Sequence, residues 1–450
     1  MKSEVRIVAS LALLYAVRML GLFMALPVLF LYGESYTSAT AITLGFALGA
    51  YGLAQALFQI PMGLLSDFFG RKPIIIVGLV LFAVGSLIAA SSDNVYGLIM
   101  GRVLQGSGAI ASTIMALVAD LTSDENRSKA MAAIGASIGV SFMASLILGP
   151  TLASHWGLSG IFIAAFALSL VGMCVLAIGV PSSRSGCAPR REVAAVPSLI
   201  FESIKQVELA RLHFGIFTLH AVLTSIFVAV PGLLVMAGID QADHSLVYLP
   251  MLLLAFLVAV PVMMAFERRG RGKLIFTFAI LLLSLCLFAL AFLPSLTLFV
   301  ALLFLFFVAF NLLEAMLPSL VSKLAPAGTR GTVMGVYSSS QFFGAFFGGA
   351  IGGALVYYWG VSTLFFLCAL MCSLWFFAAL KMTWPHALSN LSFAVEPGVT
   401  GLDLLSQQGV EEAVYIEDEK LMYLKVDLSC LDLAELKACI APFRLRSGDS

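Results

Sequence analysis

Long apolar runs broken at regular intervals by short polar clusters fill the first 385 or so positions of the chain. Crossing a bilayer as a helix takes about 20 apolar residues, because lipid offers the backbone no hydrogen-bond partner. Twelve such stretches can be drawn, at about 7–32, 42–65, 73–92, 95–118, 130–152, 158–180, 211–237, 245–266, 273–293, 296–320, 332–356 and 362–382. The first is too long for a signal-peptide core and lacks a small-residue cleavage site, so it is expected to be retained. Beyond residue 390 the pattern changes. Ser392–Val395 reads as a strand, Gly401–Gln408 as a helix, Ala413–Ile416 and Met422–Val426 as strands, and Leu433–Ile440 as a helix. A βαββα order fits a split-βαβ, ferredoxin-like module. The expected architecture is an all-α polytopic membrane protein with twelve transmembrane helices, followed by a small α+β domain over 389–446.

Composition agrees. With 61% hydrophobic and 11% charged residues, against about 45–50% and 25% in soluble domains, the chain is neither a soluble enzyme, a disordered polymer nor a nucleic-acid binder. The zero net charge is a cancellation: residues 389–450 hold 5 Lys+Arg and 11 Asp+Glu, and the first 388 hold 20 and 14. Basic residues cluster before the first stretch and in alternate loops, whereas 33–41, 93–94, 153–157, 238–244, 294–295 and 357–361 contain none. The positive-inside rule then puts both termini and the acidic tail in the cytoplasm. An acidic module beneath a basic surface is expected to dock on the central loop or to bind a regulator. The seven cysteines are scattered and imply no disulfide framework.

A cytoplasmic segment, 182–210, divides the stretches six and six, into bundles 1–181 and 211–385. The halves repeat. Phe23, Ala25 and Pro27 match Phe227, Ala229 and Pro231; Pro61, Asp67, Gly70 and Arg71 match Pro261, Glu267, Gly270 and Arg271; Trp156 and Gly157 match Trp359 and Gly360. Parallel halves suit a protein that rocks one bundle against the other around a central site.

Two motifs stand out. Gly63-Leu64-Leu65-Ser66-Asp67-Phe68-Phe69-Gly70-Arg71-Lys72-Pro73 is a tight turn between the second and third stretches. Asp67, at the end of its helix, faces an unfavourable dipole and needs a partner such as Arg71, Arg127 or another helix N-terminus. Arg102 lies inside the fourth stretch, where insertion costs about 2.5–3.5 kcal/mol, so it should face a cavity or an acidic partner. Gln105 is one turn away, and Gly106 and Gly108 allow close packing. A topology-setting turn and a purely structural arginine are the alternatives.

Both motifs resemble those of the major facilitator superfamily, over residues 1 to about 385. Phe68 stands where a basic residue is usual. In the fifth stretch Gly149-Pro150 half meets the drug–proton antiporter signature. Arg18-Met19-Leu20-Gly21, Gln59-Ile60-Pro61 and Asn311-Leu312-Leu313-Glu314-Ala315 are similar to the YajR-type branch, which carries a cytoplasmic C-terminal domain. The resemblance implies a secondary transporter of the bacterial inner membrane, with Gly63, Asp67, Gly70, Arg71, Lys72, Asp120 and Arg127 as a cytoplasmic gating latch.

Other polar residues lie within the apolar stretches: Arg18, Gln55, Gln59, His220, Asn311, Glu314 and Gln341. An intramembrane carboxylate, raised in pKa by desolvation and lowered by a nearby cation, can load and release a proton. Glu314 is the first candidate for that role, with a carboxylate pinned in an ion pair as the alternative; for His220 a proton role stands behind the reading as a hydrogen-bonded helix residue, which is the commoner state of a lone helix histidine. No G-x-x-x-x-G-K-[ST] loop occurs, so an ion gradient rather than ATP is the expected energy source. The tail resembles heavy-metal-associated domains in element order, yet Glu396–Gly401 has no Cys or His, and Cys430 and Cys439 are far apart, so no metal or cofactor is expected. The reading is a proton-coupled exporter of apolar or cationic small molecules whose path is shaped by Arg18, Arg102, Gln105, Asn311 and Glu314. The alternatives are a sugar or metabolite importer and a membrane receptor signalling through its tail.

Overall fold

The computed structural model describes residues 2–122, 124–181, 196–293, 295–385, 388–395, 409–419 and 421–427. Among them, ten helical segments are long and apolar enough to cross a membrane. In chain order the helices are α1 (Lys2–Phe23), α2 (Leu29–Tyr32), α3 (Ala41–Phe69), α4 (Arg71–Ala90), α5 (Val95–Ser107), α6 (Ala111–Leu121), α7 (Asp124–Gly179), α8 (Pro197–Lys205), α9 (Val207–Met236), α10 (His244–Arg268), α11 (Gly272–Leu290), α12 (Leu296–Leu324) and α13 (Arg330–Leu380).

Where these depart from the expected stretches, local chemistry gives the reason. The apolar part of α7 and the whole of α13 are each 51 residues long, about 75 Å of helix against a hydrocarbon core of about 30 Å. Each is broken once, at Gly157 (φ 61°) and Gly360 (φ 81°), the matched glycines of the two halves. A side chain is strained at positive φ, so only glycine serves there without cost. The first stretch is not one helix: α1 stops at Phe23, whose carbonyl the Pro27 ring would strike if the helix continued. The fourth is interrupted between Ser107 and Ala111. The central loop contains α8, which starts on Pro197 at a position where the missing N–H costs nothing.

Two apolar cores hold the bundle together. One has its buried residues in the first half, around Leu14, Ile75, Leu79, Phe82, Ile114 and Leu117, with Phe342 of the second half packed against it. The other belongs to the second half but takes in Met24, Leu29, Leu44, Leu48, Leu146 and Phe162 of the first. The halves therefore share their larger core at the end away from the basic loops. The central helix α9 has 72% of its most apolar window buried, and the peripheral α10 only 28%, so α10 presents its side chains to lipid.

In the tail, β1 (Leu388–Ala394), β2 (Val410–Ile416) and β3 (Leu421–Asp427) form an antiparallel sheet in the order β1-β3-β2. β1 begins four residues before the expected Ser392, because its whole length pairs with β3 from Leu388↔Asp427 to Ala394↔Leu421. The expected helices Gly401–Gln408 and Leu433–Ile440 lie outside the described residues. Met422, Leu424 and Val426 point to one face of β3 and build a core with Phe393, Val395 and Val410. Alternation sends Tyr423 and Lys425 to the other face, where they meet the turn between α12 and α13. There Lys425 Nζ donates to the Ala325 carbonyl at 3.3 Å, Glu412 Oε2 accepts from Ala327 N at 2.9 Å, and Tyr423 and Ile416 cover Ala327. This contact is to the 325–329 turn; residues 182–195, the part of the central loop expected to receive the tail, lie outside the described residues.

Candidate functional site

The first half gathers its polar side chains into one buried network. Tyr51, Gln55 and Gln59, spaced by four on α3, share a face. Arg18 of α1 reaches them, its Nη2 donating to Gln55 Oε1 at 3.0 Å and to Tyr51 Oη at 3.3 Å. The same nitrogen donates to the Gly108 carbonyl at 2.6 Å. That carbonyl is available because the helix breaks there, so the interruption between α5 and α6 is what receives Arg18. Gln55 Nε2 donates to Gln59 Oε1 at 2.8 Å.

Arg102 sits on the far side of Tyr51, its guanidinium 5.0 Å from the ring centroid. It donates to Gln105 Oε1 at 3.0 Å, and Gln105 Nε2 donates to Ser86 Oγ at 2.7 Å. The expected cavity or acidic partner for Arg102 is not what the structure provides. Both arginines are 1% exposed, and among the described residues neither pairs with a carboxylate. Neutral oxygens and the Tyr51 ring face carry the compensation instead. Tyr51 and Ser86 were not legible as partners in the sequence; the i, i+4 spacing of Tyr51 to Gln55 is the signal that could have found the first.

The second half brings three of its expected residues together from three helices. Gln341 Nε2 of α13 lies 2.8 Å from His220 Nε2 of α9 and 3.4 Å from Glu314 Oε1 of α12. His220 Nε2 and Glu314 Oε2 are 3.8 Å apart. If Gln341 donates to both, His220 is neutral with its proton on Nδ1. Protonating Glu314 is accommodated by turning the amide over, so that Gln341 Oε1 accepts from the carboxylic O–H and from a His220 Nε2–H. One amide can therefore couple the proton on Glu314 to the tautomer of His220. Asn311, three residues before Glu314, is half-buried on the same helix. The Glu314 side chain is 37% exposed, in contrast to the sealed arginines.

At the basic end, Gly70 (φ 90°) turns the chain from α3 into α4. Arg71 contacts Asp67 closely, donates from Nη1 to Ser66 Oγ at 2.7 Å and donates from Nε to Asp120 Oδ2 at 3.2 Å. Asp67 thus finds Arg71, as its place at a helix C-terminus demands. Lys72 follows at partial exposure, and a Cβ on Gly63 would lie 3.1 Å from Ser112 Oγ. The Arg127 side chain lies outside the described residues.

At the opposite end α3 and α13 touch backbone to backbone. A Cβ on Gly49 would come within 2.6 Å of the Phe346 carbonyl oxygen, and one on Gly349 within 2.8 Å of the Gly45 carbonyl oxygen. Gly45 and Gly353 meet each other and their neighbours' backbones in the same way. Both helices carry a G-x-x-x-G spacing, the signal that could have found this contact. In α7, Gly149 lets the helix approach the Met24 carbonyl, a Cβ there falling 2.6 Å from it, and Pro150 follows within the helix.

The comparisons with known proteins agree on one family. The model for the Major Facilitator Superfamily matches residues 11–339 and 212–406. The chain is 41% identical over 445 residues to the inner membrane transport protein YajR of Escherichia coli (strain K12), covering 97% of each chain. Among solved structures, a mutant of the nucleoside transporter NupG is 14% identical with a TM-score of 0.68, covering 84% of this chain and 99% of that one. The D-xylose-proton symporter is 16% identical with a TM-score of 0.66, covering 85% and 98%. At those identities the two structures bear on the fold alone. Two matched helical halves, a polar interior and 41% identity over nearly the full length of an inner-membrane transporter converge: the chain belongs to the Major Facilitator Superfamily and is a multi-pass membrane transporter, not an enzyme.

Proposed function

We propose that the protein is a proton-coupled exporter of apolar or cationic small molecules, working by alternating access between bundles 1–181 and 211–385. Twelve crossings follow from the ten helical segments if α7 and α13 each cross twice about Gly157 and Gly360; an even number leaves both termini and the tail on one side, and the basic loops favour the cytoplasm for that side. The observation that carries the reading is the Glu314–Gln341–His220 cluster. Its acid sits on a side chain that is 37% exposed, with Oε2 itself buried, whereas Arg18 and Arg102 are 1% exposed as whole residues. A path with a part-exposed acidic side chain and fully buried guanidinium groups favours a proton or an organic cation over an anion. The carboxamides of Gln55, Gln59 and Gln105 are spent on internal hydrogen bonds, so they give no support to a sugar-binding cavity.

The test is substrate flux in reconstituted liposomes under an imposed pH gradient, with lipophilic cations as first substrates. Flux that follows the gradient and reverses with it supports the reading; flux indifferent to the gradient overturns it.

The Asp67–Arg71–Asp120 cluster closes the reading at the basic end. Arg71 engages three oxygens from two sides, a geometry that a lysine ammonium cannot reproduce. Arg71→Lys keeps the charge, and with it the topology, but loses part of the fork. Hydrogen bonds to charged groups contribute about 1.5–3 kcal/mol each, so turnover should fall about tenfold or more with protein abundance in the membrane unchanged. Wild-type turnover in this variant would show that the cluster only sets topology.

A further inference from the structure

Tyr337 is buried at 4% exposure on α13, and its hydroxyl has no hydrogen-bond partner among the described residues. It stands four residues before Gln341, hence on the same helix face and one turn nearer the basic end. Gln341, one turn along that face, is itself 3.4 Å from Glu314 Oε1. Glu314 Oε2 is likewise without a hydrogen-bond partner among the described residues. Pro318 lies inside α12, four residues after Glu314, and a proline has no N–H to give. The main-chain carbonyl of Glu314 therefore lacks the donor that an unbroken helix would supply. Three oxygens without their expected partners thus belong to one hairpin of α12 and α13: a carboxylate, a carbonyl and a phenolic hydroxyl.

We propose that Tyr337 is a positioning residue of the proton site, its hydroxyl donating to Glu314 Oε2 when Glu314 is ionised and to the Glu314 main-chain carbonyl when Glu314 is protonated. The inference rests on the proton-coupling reading of Glu314. Pro318 is what makes it a two-position device, since it leaves the second acceptor open. The donor strengthens the ionised form and so sets the pH at which the site gives up its proton. The other ionisable groups packed around α12 leave this role to Tyr337. α9 contributes His220, with His213 two turns away; α10 carries His244 and Tyr248 at one end and Glu267 and Arg268 at the other; α11 carries Lys273 and Cys286. Of these, His220 is the group facing the Glu314 carboxylate, at 3.8 Å.

The experiment compares wild type, Tyr337→Phe and Glu314→Gln in two assays. One is the pH profile of gradient-driven flux in liposomes; the other is the pH titration of the carboxyl C=O infrared band in purified protein, which needs no turnover. Tyr337→Phe keeps the ring and loses only the donor. Its midpoint should move to higher pH by about one to two units, a ten- to hundredfold gain in proton affinity, in both assays. A wild-type midpoint in the infrared titration overturns the proposal, whether or not the variant still transports. The parent reading fails separately, if wild type and Glu314→Gln share one pH profile. A wild-type profile that Glu314→Gln abolishes, combined with an unshifted Tyr337→Phe, removes the Tyr337 role and keeps the proton site.

Discussion

Glu314→Gln is expected to abolish uphill transport driven by a pH gradient, by about a hundredfold or more, while substrate exchange between the two sides of the membrane survives. The carboxamide has the size and shape of the acid it replaces, so the contacts of Glu314 with Gln341 at 3.4 Å and His220 at 3.8 Å can be kept in outline. What it cannot do is take up a proton and give it back. A transporter whose halves still rock, but whose coupling site is frozen in one charge state, equilibrates substrate without accumulating it. Fixed in the neutral form, the site also loses the amide reversal of Gln341, and with it the link to His220. The measurement is accumulation under an imposed gradient beside counterflow in its absence, on the same proteoliposomes. Loss of both would mean that Glu314 holds the structure or the substrate rather than the coupling ion. Retention of both would remove it from the mechanism.

How much of this could be read in advance differs between the levels of structure. The apolar stretches are legible because a bilayer leaves the backbone no partners other than its own, so hydropathy alone marks where helices must run. Their interruptions are legible only in part. Pro27 announces the end of α1 four residues early, but its repeat partner Pro231 lies inside the continuous helix α9, so the same residue type gives opposite outcomes in the two halves. Polar residues inside the spans are visible because each needs compensation, yet the compensating group depends on how the helices are rotated. Arg102 asked for an acid or a cavity and received an amide and the face of Tyr51. Tyr337 carries no signal in the sequence, and only the structure shows its hydroxyl buried without a partner, one turn from the Gln341 that contacts Glu314. The tail shows the same limit. Its alternation predicted the sheet, whereas the surface that receives Tyr423 and Lys425 is a turn near residue 327 that the charge pattern did not single out.

Replacing Gly45 or Gly353 by leucine is expected to hold the transporter open at the end that the structure shows closed. The argument is steric. A Cβ at either position would strike backbone atoms of the facing helix, carbonyl oxygens that cannot rotate out of the way as a side chain could. Overfilling a packed core commonly costs about 1–3 kcal/mol, and here the whole helix must shift. A penalty of that size shifts the balance between the two states by about five- to a hundredfold. The open state does not bear it, because α3 and α13 separate there. The reporter is Ser339→Cys, whose native hydroxyl donates to the Ala56 carbonyl across the same seam at 3.1 Å, in a background without the seven native cysteines. A membrane-impermeant thiol reagent added from the outside should label it far faster in Gly45→Leu and Gly353→Leu than in the parent. The control is Gly139→Leu, where an added Cβ meets nothing within 4 Å. It adds the same side chain to a transmembrane helix without touching the seam. Because the seam is where the two halves fuse, labelling that rises equally in the control would mean that leucine at any glycine loosens the bundle. Labelling that stays at the parent rate in all three would mean that the glycine contact does not gate the path.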